Sequence, residues 1–318
     1  DPTIINGGII NNINANAKLG DGQWIVAEAD ESDGSFTMLP STVGVINNID
    51  FEHVDFYKNI KEVKNSFIKY AERIPFYGFL AINNDDSNIQ SILNKIKQTK
   101  ILTYGLSKNS NFYAENIKTI KKKDKFYTCF DIVSNFRKKS LTKNVLVPLI
   151  GNHNVINSLC AYTVAKSLKI SDLEIKRALK EFKGVKRRFS IIHQNNKNLV
   201  IDDYAHHPRE ISVTLKALKS ITRSKLITVF EPHRYTRIKN MISDFVGSFQ
   251  YADMIFILPV YQAGEKVNKN INSIYLSNIF RKKYKNKIID PILNQNSFFR
   301  NLNKIISDGD NIIFLGAG

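Results

Sequence analysis

The sequence is poor in the residues that would force an unusual architecture. Two cysteines, Cys129 and Cys160, cannot build a disulfide framework, and a reducing compartment is the expectation that follows. Eight prolines and fifteen glycines in 318 residues exclude a collagen-like or low-complexity chain. No apolar run approaches the roughly 20 residues that cross a bilayer, so no membrane insertion is expected. The first residues, Asp1-Pro2-Thr3, show neither an initiator Met nor the basic-then-apolar pattern of a secretory leader, and read as the interior of a longer polypeptide. Acidic residues are also scarce: 29 Asp and Glu stand against 46 Lys and Arg, a formal balance of +17. Such an excess steers anions. Here, however, the lysines accompany Asn and Ile along the whole chain, as in Asn11-Asn12-Ile13-Asn14, and Lys121-Lys122-Lys123 reads as a solvated loop. No recognition helix, zinc finger or aromatic-basic RNA motif goes with the charge, so no nucleic-acid partner is expected.

What is present is the 43% hydrophobic content of an ordinary globular protein, in a length that suits about two domains. Apolar and amphipathic runs alternate, which predicts an α/β chain with largely parallel sheets. Residues 24–27 and 43–46 are short, apolar and bounded by polar residues, and read as buried strands. Ile60, Val63, Phe67, Ala71 and Ile74 recur at three- and four-residue steps, predicting a helix over 57–74. A strand over 76–81 and a helix over 89–96 follow. Weak alternation around Phe126-Tyr127-Thr128-Cys129-Phe130 suggests an antiparallel excursion between 111 and 147. A helix over 154–168 precedes a capping box, Ser171 to Glu174, that opens another helix through Phe182. Gly184 ends it, and the domain boundary is placed there, giving domains 1–184 and 185–318.

The second half starts a fresh series. A strand over 199–201 runs into a helix whose first turn takes Pro208 and whose buried face carries Ile211, Leu215 and Leu218. Strands over 226–230, 254–258 and 312–315 alternate with helices over 238–249 and 298–306. This predicts a doubly wound sheet with its ligands at the carboxyl ends of the strands.

Three clusters follow predicted strands. Residues 28–36 hold four carboxylates within six positions, Glu28, Asp30, Glu31 and Asp33. Crowded like charges call for a cation or for solvent, and on spacing alone the solvated loop is the simpler reading. Residues 47–55 place His53 among Asp50, Glu52 and Asp55, a pattern that suits a metal ligand or an ordinary solvated histidine. The third set joins Lys186-Arg187-Arg188-Phe189, the run from Asp203 to His207, and Glu231-Pro232-His233-Arg234-Tyr235-Thr236-Arg237. It gathers three of the six histidines, His206, His207 and His233, beside arginines suited to bidentate recognition of carboxylate or phosphate. Surface salt bridges on an arginine-rich loop are the competing explanation.

Seven strings occur together in a familiar order: Asp1-Pro2-Thr3-Ile4-Ile5-Asn6-Gly7-Gly8; residues 28–36; Asn48-Ile49 through His53-Val54-Asp55; Gly151-Asn152-His153-Asn154 with Asn157; Arg187-Arg188-Phe189; Asp203-Tyr204-Ala205-His206-His207-Pro208; and His233-Arg234-Tyr235-Thr236-Arg237. The chain resembles the Mur ligases of peptidoglycan synthesis over nearly its whole length. The last string points to the alanine-adding members, the UDP-N-acetylmuramate:L-alanine ligases, over the related murein-tripeptide recycling ligases.

The resemblance implies a central ATPase domain, N-terminally truncated and built on a mostly parallel sheet, followed by a Rossmann-like doubly wound C-terminal domain. It implies a bacterial cytoplasmic enzyme that takes ATP and Mg2+ and joins L-alanine to the muramoyl carboxylate of UDP-N-acetylmuramate through an acyl phosphate. Glu28 and His53 would then be magnesium ligands. His153, Asn154 and Asn157 would contact adenine and ribose, and Arg188 and Asp203 the nucleotide. Tyr204, His206, Arg234 and Arg237 would form the alanine pocket, with His206, Arg234 and Arg237 meeting the developing charge. No G-x-x-x-x-G-K-[ST] phosphate loop occurs between Asp1 and Gly318, the chain stops at Gly316-Ala317-Gly318 where relatives continue, Glu231 stands where many have Gln, and Lys18 where many have Arg. The chain is therefore expected to be a fragment without turnover of its own. The alternative is a non-catalytic nucleotide- or phosphosugar-binding relic.

Overall fold

The computed structural model describes all residues except Val54, Gln98, Thr99, Asp124 and Asn196, and all remaining side chains except that of Asn303. Two compact units divide the chain, Asp1–Lys183 and Gly184–Gly318.

Unit 1 holds two sheets. In the first, β1 (Thr3–Ile10) pairs antiparallel with β2 (Ala15–Lys18) and parallel with β3 (Ile25–Ala27). The strand predicted over 24–27 thus forms, without Trp24, but it is not buried. Ile25 and Val26 are 66% and 58% exposed. A short apolar run specifies extended backbone but says nothing about cover, and β3 is an edge strand that the described residues leave open.

The second sheet runs in chain order: β4 (Val43–Ile46), β5 (Phe79–Asn83), β6 (Ile101–Gly105), β7 (Phe112–Lys122), β8 (Lys125–Ser134) and β9 (Ser140–Val147). Its first four strands are parallel and its last three form the antiparallel excursion. Lys121 and Lys122 end β7, and Lys123 turns into the next strand, so the lysine run is an exposed hairpin tip instead of a loop. α1 (Ile60–Glu72) starts three residues later than its apolar spacing suggests, because the Asn59 side chain caps the amides of Lys61 and Glu62. The next strand also starts late. Gly78 N–H donates to the Pro75 carbonyl, closing a turn that leaves Phe76 and Tyr77 91% and 71% exposed.

The helix predicted over 89–96 is two short pieces, α2 (Ser87–Gln90), capped by Asp86, and a 3-10 turn over Leu93–Lys95. Ile89, Ile92 and Ile96 are all buried. Their spacing is met as well by two turns as by one helix. α3 (Asn152–Ser167) and α4 (Asp172–Glu181), the latter opened by the Ser171–Glu174 capping box, supply Val155, Leu159, Tyr162 and Ile175 to the core around Tyr104, Phe112 and Phe130.

Unit 2 is a six-stranded sheet ordered β10 (Ser190–Gln194), β11 (Leu199–Asp203), β15 (Asn311–Leu315), β12 (Leu226–Phe230), β13 (Met254–Ile257), β14 (Ile288–Pro291). All its pairings are parallel except that of β10 with β11. The helices are α5 (Pro208–Lys219), α6 (Tyr235–Ser248), α7 (Ser273–Lys283) and α8 (Gln295–Ile305). Pro208 sits in the first turn of α5, and α6 is broken at Met241, whose φ of −126° and ψ of 24° leave the helical region. β10, α7 and β14 have no counterpart in the sequence reading. Ile191 and Ile192 of β10 are both exposed, so its pattern lacks the one-sided alternation of a half-buried strand. Asp203 and Phe230 both pair with Leu315, and Phe230 also pairs with Ile257, so four strand ends finish at one level. Among the described residues no helix is long and apolar enough to cross a membrane.

Two glycine substitutions separate close packing from backbone freedom. A Cβ at Gly78 would lie 1.9 Å from the Thr42 carbonyl oxygen, whereas one at Gly247 in α6 meets only Lys283 Nζ at 3.9 Å. Gly78→Ala should destabilise by about 1–3 kcal/mol and Gly247→Ala should stabilise by about 0.5–1 kcal/mol, read from denaturant midpoints at constant slope.

Candidate functional site

In unit 1 the expected acidic residues lie at the ends of β3 and β4. Glu28 continues the pairing of β3 with its amide on the Ile5 carbonyl, and its Oε2 accepts the Gly7 amide at 2.6 Å. A Cβ at Gly7 would stand 3.0 Å from that oxygen, so glycine permits the approach. The following turn is tied by its own side chains. Asp30 Oδ1 accepts the Ser32 amide and Asp33 Oδ1 the Ser35 amide, both at 2.8 Å. Tyr57 donates its hydroxyl to the Glu31 carbonyl at 2.8 Å. Phe36, packed against Phe67 and Tyr70, anchors the turn in the core.

His53 sits at φ 52° after β4, and its Nε2 lies 3.4 Å from Glu31 Oε1. Val54, the next residue of that motif, lies outside the described residues. Asp30, Glu31 and His53 bring one ligand atom each within 4.8 Å of one another, the only such group among the described residues. Of the two expected magnesium ligands, His53 therefore belongs to this group, while the Glu28 carboxylate bonds the Gly7 amide. Two carboxylates and an imidazole suit a divalent cation that completes its shell with water. The Glu31 contact, against opposition from burial, holds the His53 imidazolium pKa above its ordinary value, with help from Glu52 and Asp30.

His153 and Asn154 open α3 behind Gly151, whose φ of 99° turns the chain into the helix. Asn154 Nδ2 donates to the Ile150 carbonyl at 2.9 Å and lies 3.0 Å from His153 Nε2. An amide nitrogen can only donate, so Nε2 accepts and the ring proton belongs on Nδ1. Burial pushes the His153 pKa down to about 4 and keeps the ring neutral. Asn157, one turn further on, is exposed on the same face.

In unit 2 the expected residues gather where the parallel strands end. Asp203, buried at the end of β11, accepts the Phe189 amide at 2.7 Å and the Ala205 amide at 2.8 Å. Burial raises its pKa to about 6 despite those amides and Arg188. Above it four rings form a ladder. Tyr204 meets His206 at 5.3 Å, His206 meets His233 at 5.3 Å, and His233 stacks on Tyr261 at 5.5 Å. The guanidinium groups of Arg187 and Arg188 lie 5.3 and 5.6 Å from the Tyr204 ring. Arg188 also pairs with Glu210, and Arg187 holds the carbonyls of Gly316 and Gly318. His206 Nδ1 lies 2.9 Å from the Tyr204 carbonyl, which assigns its proton to that nitrogen. Arg237 donates to His233 Nδ1 at 3.1 Å. Burial, with His206, Arg237 and Arg234 adding positive charge nearby, drives the His233 pKa to about 4. Arg234 precedes α6 with a left-handed backbone at φ 64° and makes no side-chain capping bond.

Unit 2 thus brings together Arg188, Asp203, Tyr204, His206, Arg234 and Arg237, and adds two residues the sequence reading passed over. Tyr261 and Glu265 follow β13 in the string Tyr261-Gln262-Ala263-Gly264-Glu265. Their place just past a predicted parallel strand was the available signal. An aromatic ladder lined with guanidinium groups can bind a carboxylate or phosphate and hold the neutral His233 imidazole beside it.

The sequence model of the Mur ligase middle domain matches residues 11–165, and that of the Mur ligase glutamate ligase domain matches residues 187–318. The UDP-N-acetylmuramate–L-alanine ligase of Rickettsia bellii is 40% identical over 100% of this chain and 67% of its own length. The chain belongs to the Mur ligase family. Its likeness to UDP-N-acetylmuramate–L-alanine ligases continues in Pelagibacter ubique, whose enzyme is 44% identical over 84% of this chain and 57% of its own length. The Mur ligase fold is shared with the crystallised UDP-N-acetylmuramate–alanine ligase of Thermotoga maritima, at a TM-score of 0.75 and 24% identity, covering 100% of this chain and 66% of that one. The chain spans between 57% and 67% of the length of these two curated relatives.

Three of the site histidines should titrate in two groups. By proton NMR, the ring signals of His153 and His233 should move with midpoints near 4 and that of His53 above the ordinary 6.5. A ring kept neutral in the fold but protonated in the unfolded chain contributes stability fully above pH 6.5 and loses it as pH falls toward about 4. His153→Gln should therefore flatten the loss of stability between pH 6.5 and 4, measured by denaturant titration at each pH.

Proposed function

We propose that the protein carrying this chain is an ATP-dependent ligase that joins L-alanine to the muramoyl carboxylate of UDP-N-acetylmuramate. The observation that carries this reading is the set of side chains above the unit 2 sheet, where Arg234 and Arg237 flank His206 and His233. The γ-phosphoryl group of ATP passes to a muramoyl carboxylate oxygen and ADP departs. The alanine amine, having lost a proton, then attacks the carbonyl carbon, and the tetrahedral intermediate expels phosphate to leave the amide. Hydroxide is a poor leaving group, and phosphate replaces it.

Each set of residues has a part. Arg234 and Arg237 bind the amino-acid carboxylate and meet negative charge as it builds. Tyr204 and His206 form the wall of the alanine pocket, and the neutral His233 fixes Arg237 through Nδ1. Arg188 and the Asp203 turn serve the nucleotide, as do His153, Asn154 and Asn157 at the start of α3. Asp30, Glu31 and His53 are the residues that would hold Mg2+, with Glu28 beside them in sequence, and a divalent cation there supplies neutralisation of phosphate charge. Nucleotide-linked substrates place the reaction in the cytoplasm.

Residues 1–318 contain no G-x-x-x-x-G-K-[ST] loop. The alternative reading is a nucleotide- or phosphosugar-binding relic. Phosphate release by the complete protein, with ATP, UDP-N-acetylmuramate and L-alanine, decides between them. The ligase releases phosphate only when all three are present, and the relic releases none. The 318-residue chain alone should show no turnover, and formation of UDP-muramoyl-alanine by a pure sample would overturn that. In the complete protein, Arg237→Ala should raise the KM for alanine by roughly 10–100-fold, the loss of a charge-assisted hydrogen bond, with the KM for ATP nearly unchanged.

A further inference from the structure

We propose that Glu265 is a positioning residue for the alanine-binding arginines: from a loop that follows β13 it clamps the turn bearing Arg234 and Arg237 and so sets the affinity for the amino-acid carboxylate. This deepens the ligase reading and rests on it.

The turn needs an external brace. Arg234 is a non-glycine residue in the left-handed region, a conformation that persists only where surroundings enforce it. The first amides of α6 have no partner within the helix, and the Arg234 side chain does not cap them. Ile238 N–H closes the first turn on the Arg234 carbonyl at 3.3 Å, but Met241 leaves the helical region just beyond, so little of α6 extends that alignment.

The brace comes from residues 261–265. Arg234 N–H donates to the Tyr261 carbonyl at 2.9 Å, and Tyr261 N–H donates to the Pro232 carbonyl at 2.8 Å, so the two loops bond on both sides of His233. The Tyr261 ring lies over the His233 ring at an interplanar angle of 23°. The chain then reverses through Ala263 and Gly264, both left-handed at φ 47° and 86°, and delivers Glu265 to the open end of the helix. Its Oε2 accepts the Tyr235 amide at 2.6 Å and the Thr236 amide at 3.2 Å, and Oε1 accepts the Thr236 hydroxyl. Burial pushes this carboxyl up, but the Thr236 hydroxyl, the two amides and Arg234 outweigh it and keep it below its usual range. Residues 235 and 236 lie between the two arginines, so a carboxylate that fixes their backbone fixes the directions in which both guanidinium stems leave.

The test uses the complete protein and three readouts: the KM for L-alanine, the KM for ATP, and hydrogen exchange at the Tyr235 and Thr236 amides. Glu265→Ala should raise the alanine KM about 10-fold or more, leave the ATP KM within about twofold, and speed exchange at both amides. Glu265→Gln retains an oxygen for the amides and should recover most of both effects. If Glu265→Ala does not fold, the glutamine variant decides, with an expected alanine KM about threefold above wild type and faster exchange confined to residues 233–237. Unchanged alanine KM, or alanine and ATP constants rising together, overturns the proposal. Absence of alanine-dependent phosphate release in the wild type overturns the ligase reading instead. The clamp then stands or falls on whether Glu265→Ala speeds exchange at the two amides.

Discussion

The parallel register of β11, β15, β12 and β13 is the constraint from which the unit 2 site follows. Parallel strands paired in step end together, and their backbone groups beyond the last pair must find other partners. Carboxylates meet that need here. Asp203 takes the amides of Phe189 and Ala205, Glu231 takes that of Gly318, and Glu265 takes those of Tyr235 and Thr236. Each bond is charge-assisted and fixes one loop against the sheet's rim.

Unit 1 shows how one side chain type acquires different properties from its surroundings. His53 faces Glu31 and favours the charged form, whereas His153 is enclosed at the start of α3 with Asn154 against Nε2 and stays neutral. The carboxylates that favour a proton on His53 would also attract a metal cation, which must displace that proton to reach a ring lone pair, whereas the neutral His153 keeps a defined tautomer.

Much of this was legible in the sequence, because periodicity and caps are local. The helix face from Ile60 to Ile74, the Ser171–Glu174 box and Pro208 in the first turn of α5 all depend on residues within a few positions of one another. Exposure of β3 was not legible, since cover comes from other segments. Nor was the division of residues 89–96, where the same buried isoleucines fit two short turns. The arginines and histidines of the unit 2 site stood out by their clustering. Tyr261 and Glu265 did not, because a tyrosine and a glutamate in a glycine-containing loop look ordinary until the fold brings them about 30 positions back along the chain.

The interruption of α6 at Met241 separates two mechanical duties. The distal half carries Phe245, which packs on Phe230, while the proximal turn buries Ile238 and is tied to the neighbouring loop through Glu265. A change of side chain in that buried distal layer therefore acts first on stability, and reaches the arginines only across the break at Met241.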